Sequence, residues 1–176
     1  MRRFAAILLL GAGCATAPSS NAPASGPAES PSPAGGRSVA ELSLETYPQP
    51  GRHAFAADRG QLVVIDAWAT WCAPCVRSLP LLQKLARDYG PRGVRVYAVS
   101  IDENRAEIPS FLAKHPIELP ILLDPGASAL EQKLGLRGMP TTWVVDRTGQ
   151  VRYTQEMAED DLKDLRDHLD GLLKAP

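Results

Sequence analysis

The sequence has few cysteines, few aromatic residues and almost no net charge. Three cysteines in 176 residues are too few for a small scaffold held together by disulfides. Aromatic residues make up only 6% of the chain, so its core must rely on Leu, Val, Ile and Ala. The 19 basic and 20 acidic residues balance, which gives no electrostatic reason to expect nucleic acid as a partner.

The sequence also lacks an apolar run of the ~20 residues that a membrane-spanning helix needs. Residues 1–14 instead have the pattern of an export signal, with Arg2 and Arg3 before an apolar stretch and small residues before Cys14. We therefore expect an exported protein. This segment resembles a bacterial lipoprotein signal, so we expect Cys14 to be lipidated and to anchor the protein to a membrane. The alternative is an ordinary cleaved signal or an uncleaved anchor in which Cys14 has no role, because Gly11 stands where that signal usually has Leu.

Residues 15–38 consist mostly of Ala, Pro, Ser and Gly, which cannot bury enough apolar surface to fold. We expect a disordered tether there, followed by one folded domain over residues 39–176. The domain is predicted to start with an irregular hairpin near Tyr47 and Pro48. Alternation of strand and helix patterns, then a hairpin and a closing helix, predicts an α/β fold with a mixed sheet. Strands are expected at 62–68, 94–101, 119–123, 141–145 and 150–154, and helices at 74–89, 103–114, 127–134 and 160–173.

Cys72 and Cys75 form a C-x-x-C motif where the first of these long strands ends and its helix begins. The unpaired N–H groups and the dipole at a helix N-terminus favour negative charge, so we expect Cys72 to be a thiolate nucleophile. Pro74 suits the first helical turn, and Cys75 is close enough to resolve a mixed disulfide. A zinc site needs further ligands, and the sequence has no second C-x-x-C or H-x-x-x-H. The motif predicts redox chemistry, with metal binding or purely structural cysteines as alternatives.

Several motifs in order resemble the thioredoxin superfamily and, within it, the membrane-tethered bacterial TlpA/ResA-like proteins. They are Val-Ile-Asp-Ala-Trp-Ala-Thr-Trp-Cys-Ala-Pro-Cys at 64–75, Pro80, Gly-Met-Pro-Thr-Thr at 138–142 and Asp-Arg-Thr-Gly at 146–149. The resemblance runs from about Gly60 to the C-terminus. It implies a thioredoxin fold, which is a central mixed β-sheet flanked by α-helices, here with an N-terminal extension. It implies no organic cofactor and no metal.

The resemblance also assigns roles around the cysteine pair. Pro140 is expected to be a cis-proline beside the disulfide, which leaves the backbone of Met139 free to pair with a substrate strand. Asp66 matches a buried acid with a raised pKa that takes the proton of Cys75, directly or through water. The alternatives are an ordinary trans-proline and a strand-end aspartate that accepts backbone hydrogen bonds. Substrate contacts are expected at Trp71, Ala73, Pro74, Met139 and Thr141.

One proline and two tryptophans outside the C-x-x-C motif are interpreted mainly in structural terms. Pro80 falls inside the predicted active-site helix, and the resemblance implies a kink there. Trp68 has two equally good interpretations, core packing or part of the site. Trp143 is expected to pack in the core, and the three histidines are expected to be surface or core residues.

The resemblance implies an exported reductase that breaks disulfides in extracytoplasmic proteins by thiol–disulfide exchange. Such an enzyme needs a membrane-embedded electron donor to reduce it again, and nothing requires more than a monomer. Ser78 stands where reductases of apocytochrome c often have Glu, which weakens a specific role in cytochrome c maturation.

Three alternative functions stay open at this point. The first is a dithiol oxidase on the same fold, which introduces disulfides. The second is a copper-binding metallochaperone, although such modules use C-x-x-x-C with a distant His. The third is a peroxidase, which would have Thr where this sequence has Ala69.

Overall fold

The computed structural model describes residues 36–156 and 162–175 of the chain. Within these ranges seven strands form one sheet, accompanied by four α-helices. The predicted export signal with Cys14, nearly all of the predicted tether and the first residues of the predicted last helix lie outside the described residues. The strands are β1 (Ser43–Tyr47), β2 (Arg52–Ala54), β3 (Leu62–Trp68), β4 (Val94–Ser100), β5 (Ile121–Leu123), β6 (Thr141–Val145) and β7 (Val151–Glu156), and the helices are α1 (Ala73–Tyr89), α2 (Ile108–Lys114), α3 (Ser128–Leu134) and α4 (Lys163–Lys174).

The strand order across the sheet is β2-β1-β5-β4-β3-β6-β7. Strands β3, β4 and β5 are parallel to one another. On one side of them, β6 pairs antiparallel with β3 and β7 with β6. On the other side, β1 pairs antiparallel with β5 and β2 with β1. Parallel strands need a long crossover, and α1 supplies the one between β3 and β4. All seven residues of β3 are buried, as expected for an interior strand that is covered on both faces. The predicted mixed α/β sheet is therefore confirmed.

Alternate residues of β3 belong to two hydrophobic cores, one on each face of the sheet. Leu62, Val64 and Trp68 pack with buried side chains of α1, α2 and α4. Val63 and Ile65, on the opposite face, belong to a core that includes buried side chains of α3. The helix that begins at the cysteine motif thus lies on the same face as Leu62, Val64 and Trp68.

The predicted elements are largely present, and prolines account for two of the differences. The predicted helix over 103–114 begins as a 3₁₀ turn at Arg105–Glu107, and α2 starts only at Ile108, so that Pro109 occupies its first turn. The predicted strand over 119–123 is shortened to β5, which starts after Pro120. Helix α1 continues through Pro80, and the kink there stays a prediction.

The N-terminal hairpin was the least regular element in the sequence, yet it belongs to the main sheet. Strand β1 pairs with β2 and also with β5, and the Tyr47–Pro48 peptide bond in the turn is cis. Ahead of it, the N–H of Val39 donates to the carbonyl of Gly149 at 2.9 Å. Val39 is therefore held at the end of the sheet that carries the β6–β7 turn.

Candidate active site

The cysteine pair lies at the junction of β3 and α1. A tight turn follows β3, in which the N–H of Cys72 donates to the carbonyl of Ala69 at 3.1 Å. Cys72 caps α1, and its Sγ accepts the N–H of Cys75 at 3.3 Å. The two sulfurs form a disulfide, with Cys72 4% exposed and Cys75 fully buried. Pro74 occupies the first turn of the helix, as predicted. Cys72 is thus the sulfur that a partner reaches first.

Asp66 is completely buried on the face of the sheet that α1 covers. Its Oδ1 accepts the hydroxyl proton of Thr142 at 2.7 Å, whereas its Oδ2 has no hydrogen-bond partner among the described residues. Burial raises the pKa of Asp66 to about 7, even though the hydrogen bond from Thr142 favours the charged form. The carboxyl group is therefore held by a side chain rather than by the backbone, and it titrates near neutral pH.

The loop before β6 reaches the same end of the sheet. The Met139–Pro140 peptide bond is cis, and the hydroxyl of Thr141 donates to the carbonyl of Gly138 at 2.8 Å. Thr141 stands directly across from Ala67 of β3, whose carbonyl oxygen is 4.0 Å from the Sγ of Cys75. The register of β3 and β6 therefore brings the predicted cis-proline loop to the cysteine pair.

The two tryptophans of the motif have different environments. Trp68 is buried and lies against Phe111 of α2, with ring centroids 5.1 Å apart. Trp71 is 66% exposed, the only large hydrophobic side chain so exposed among the described residues. Clefts of about 440 and 450 Å³ lie on either side of it. Trp68 thus packs in the core, and Trp71 is available for contact with a partner.

Asp102, just after β4, is a residue of the site that the sequence did not indicate. Its buried carboxylate accepts the N–H and the hydroxyl of Thr70, at 3.1 and 2.7 Å, and the hydroxyl of Ser100 at 2.8 Å. Thr70 immediately precedes Trp71 and Cys72. Asp102 therefore fixes the turn that leads to Cys72, and an Asp two residues after a Ser near the end of a predicted strand was the only sequence signal for it.

Ser78 is buried one turn after Cys75, and its hydroxyl donates to the carbonyl of Cys75 at 3.0 Å. It is a neutral side chain bonded to the helix backbone at the position where a Glu would add a carboxylate. Ser78 thus places a neutral hydroxyl one turn after the buried cysteine.

The histidines take part in packing and local hydrogen bonds. His53 contacts Asp58 with 2.7 Å between its Nε2 and the carboxylate, His115 lies against Phe111, and His168 stacks on Tyr153. Among the described residues, no group of three or more His, Cys, Asp and Glu side chains is arranged to hold a metal ion.

None of the helices in the described ranges combines the length and apolarity that crossing a membrane would require.

Comparison with known proteins assigns the family. The sequence profile of the Redoxin family matches residues 29–169. This chain belongs to the Redoxin family. It is 30% identical over 122 residues to the thiol-disulfide oxidoreductase ResA of Geobacillus thermodenitrificans, which covers 68% of each chain. A second ResA, from Bacillus thuringiensis subsp. konkukian, is 28% identical over 111 residues, and the match spans 60% of this chain and 64% of that protein.

A solved structure shows the same architecture for this Redoxin protein. The crystal structure of a candidate thiol:disulfide interchange protein DsbE from Chlorobium tepidum is 28% identical, with a TM-score of 0.71 over 78% of this chain and 96% of that chain. The thioredoxin fold and the TlpA/ResA-like resemblance are thereby confirmed. The ResA relatives and the Cys72–Cys75 disulfide together support thiol–disulfide oxidoreductase activity.

Proposed function

We propose that this protein is an exported reductase that breaks disulfides in extracytoplasmic proteins. The observation that carries the proposal is the Cys72–Cys75 disulfide at the N-terminus of α1, with the cis-proline loop and a buried acid at the same end of the sheet. The names of the ResA relatives and of the DsbE structure support the same chemistry.

The first half-reaction begins with both cysteines reduced. The thiolate of Cys72 attacks one sulfur of a substrate disulfide, so that a bond forms between them and the substrate's S–S bond breaks. One substrate sulfur leaves as a thiolate and is protonated, and the other stays bonded to Cys72. The helix N-terminus favours the Cys72 thiolate over the thiol, because the helix dipole favours negative charge there and the N–H of Cys75 donates to the sulfur.

The second half-reaction releases the substrate. The Cys75 thiol loses its proton to Asp66, its sulfur attacks Cys72, and the Cys72–substrate bond breaks. The substrate leaves reduced by two electrons, and the protein is left with the Cys72–Cys75 disulfide. A group whose pKa is about 7 suits this transfer, because it is partly ionised at neutral pH and can accept a proton without holding it too strongly.

The substrate would lie across the exposed surface around Cys72. Trp71, with its large exposed side chain, and Ala73 and Pro74 of the first helical turn would line one side. Met139, just before the cis-proline, would offer its backbone groups to an extended substrate segment, as in strand addition, and Thr141 just after the proline would contact the same segment.

Repeated turnover requires a reductant that returns two electrons to the disulfide. We propose a membrane-embedded dithiol donor. Lipidation of Cys14 would keep the protein near this donor, and the protein would act as a monomer.

Residues 38–39 bind Gln150 and Gly149 in the β6–β7 turn, at the opposite end of β3 from Cys72. The tether would therefore join the domain away from the redox pair and leave Cys72 accessible to both donor and substrate.

The reduction potential of the Cys72–Cys75 pair tests the direction of the reaction. The full chain with Cys14→Ser is equilibrated in glutathione or dithiothreitol redox buffers, and the fraction of disulfide is read after thiol trapping. A value near the ~−270 mV of thioredoxin, or lower, supports a reductase, and a value near the ~−120 mV of DsbA contradicts it in favour of an oxidase. If no internal disulfide forms at any ratio, the redox function fails, and copper titration of the same sample becomes the next measurement.

A further inference from the structure

Thr142 lies between two other buried polar residues on the face of the sheet that α1 covers. In the strand register it stands directly across from Asp66 of β3 and directly across from Gln155 of β7. All three side chains are buried, and their neighbours along the same face of β3 are Val64 and Trp68. A polar row in such a place reduces the apolar area of the core, so it needs a reason other than packing.

The contact between Thr142 and Asp66 distinguishes the two carboxylate oxygens. A threonine hydroxyl has one proton to donate, and here it goes to Oδ1 at 2.7 Å. Oδ2 is buried and accepts no hydrogen bond from the described residues. A new proton on this carboxylate would therefore bind Oδ2 without breaking the existing hydrogen bond.

We propose that Thr142 is a positioning residue for the exchange reaction, which holds Asp66 through Oδ1 and leaves Oδ2 to take the proton of Cys75. The inference rests on the proposed function, because it needs Cys75 to resolve a mixed disulfide. In that step the S–H bond of Cys75 breaks and an O–H bond forms on Oδ2. The Cys75 sulfur then bonds to Cys72, and the substrate sulfur leaves with the electron pair of the broken S–S bond.

The hydrophobic core on this face of the sheet also buries two cysteines and two tyrosines. Helix α1 contributes Cys72, Cys75 and Tyr89, and β7 contributes Tyr153, whereas the buried residues of α4 are Leu165 and Leu169. Burial raises the pKa of Asp66, and the hydrogen bond from Thr142 lowers it. Thr142 is therefore the side chain whose replacement changes the titration of Asp66 most directly.

The test measures how fast Cys75 resolves a mixed disulfide with glutathione, from pH 5 to pH 9. The full chain with Cys14→Ser is reduced, mixed with oxidised glutathione, quenched with acid and analysed by mass spectrometry for the Cys72–glutathione adduct. Thr142→Val keeps the shape but removes the donor, so the pH midpoint of adduct decay should rise by about one unit. The decay rate should then fall about tenfold at pH 6 and approach that of the parent chain at pH 9.

Three further variants make the result specific. Thr142→Ser restores a donor and should bring the midpoint back, and Thr142→Ala removes the same hydroxyl in case the Val variant does not fold. Thr154→Val is the matched control, because Thr154 stands across from Trp143 on the other side of the sheet and its hydroxyl has no hydrogen-bond partner among the described residues. It should leave the midpoint unchanged.

Each contrary result identifies which claim is wrong. An unchanged midpoint in Thr142→Val and Thr142→Ala, or an equal loss of rate at every pH, would overturn the positioning role. An equal shift in Thr154→Val would also overturn it. If the parent chain forms no adduct and no internal disulfide, the proposed function itself fails, and the Thr142 variants are not the cause.

Discussion

Asp66 and Asp102 are both buried and both lie near the end of the sheet that carries the redox pair, yet their surroundings differ. Asp102 accepts hydrogen bonds from two donors of Thr70 and from the hydroxyl of Ser100. Asp66 accepts one, from Thr142, and one of its oxygens has no partner among the described residues. The first carboxylate accepts hydrogen bonds on both of its oxygens, whereas among the described residues the second accepts one on Oδ1 alone.

The comparison shows the same side chain in two different environments within one fold. A buried carboxylate with several donors stays in place, and removing it leaves those donors unpaired. A buried carboxylate with few donors is expensive to ionise, so its pKa rises towards neutral pH, where it can exchange protons. Under the proposed function, the number of donors around each Asp separates a structural carboxylate from a reactive one.

The largest expected effect concerns Asp66 and the pH dependence of stability. Its pKa rises from 3.8 to about 7 on folding, so the folded state binds more protons between these values. Stability from this group is fully present below pH 4 and is lost as pH rises towards 7, by on the order of 4 kcal/mol. Asp66→Asn removes the titration, so the oxidised variant should gain stability relative to wild type from pH 4 to pH 8. Urea unfolding of both at each pH measures the difference, and parallel curves would contradict the account.

Removal of the Asp102 carboxylate should destabilise the fold. Asp102→Ala leaves the backbone N–H and hydroxyl of Thr70 and the hydroxyl of Ser100 without their acceptor, so unfolding free energy should fall by about 3 kcal/mol at pH 7. Glu103→Ala, at the exposed neighbouring position, is the control and should change stability by less than about 0.5 kcal/mol. Guanidinium unfolding measures both, and equal losses would remove the distinction.

Asp66→Asn should also slow the chemistry while the protein stays folded. Asn cannot accept the Cys75 proton, so resolution of the Cys72–glutathione adduct at pH 7 should slow about 100-fold. The pH midpoint near 7 should also disappear from the rate profile. Rapid quench and mass spectrometry give the rate, and a profile identical to that of wild type would show that Asp66 takes no part in proton transfer.

The smallest effect distinguishes the two donors of Thr70. Thr70→Val removes the hydroxyl but keeps the N–H that bonds Asp102, so stability should fall by about 1 kcal/mol. This is about a third of the loss expected for Asp102→Ala. A loss as large as that of Asp102→Ala would mean that the hydroxyl alone holds the turn, and denaturant unfolding decides between the two.

The sequence predicted the parts of the site that depend on local pattern. The apolar, β-branched run of β3, the C-x-x-C at a helix start and the hairpin at Asp146–Gly149 each fall where they were expected. The cis-proline at Pro140 followed from the family resemblance, and the structure has it. In each case a short stretch of residues carries the information.

The partners of the buried acids could not be predicted, because they depend on distant strands. Thr142 is 76 residues from Asp66, and Thr70 is 32 residues from Asp102. Only the register between β3 and β6, and the turn that follows β4, bring these pairs together. The pairing of β1 with β5 was missed for the same reason, since a short irregular hairpin does not reveal which sheet edge it joins.

The most direct test of the account is a single turnover analysed by thiol trapping. The full chain with Cys14→Ser is reduced, mixed with one equivalent of insulin whose disulfides are intact, and quenched. The free thiols of the Cys14→Ser chain are then counted by mass. The account predicts loss of two thiols to an internal Cys72–Cys75 disulfide, a trapped insulin adduct on Cys72 in Cys75→Ser, and no reaction in Cys72→Ser. An adduct on Cys75, or turnover in Cys72→Ser, would contradict the assignment of Cys72 as the nucleophile.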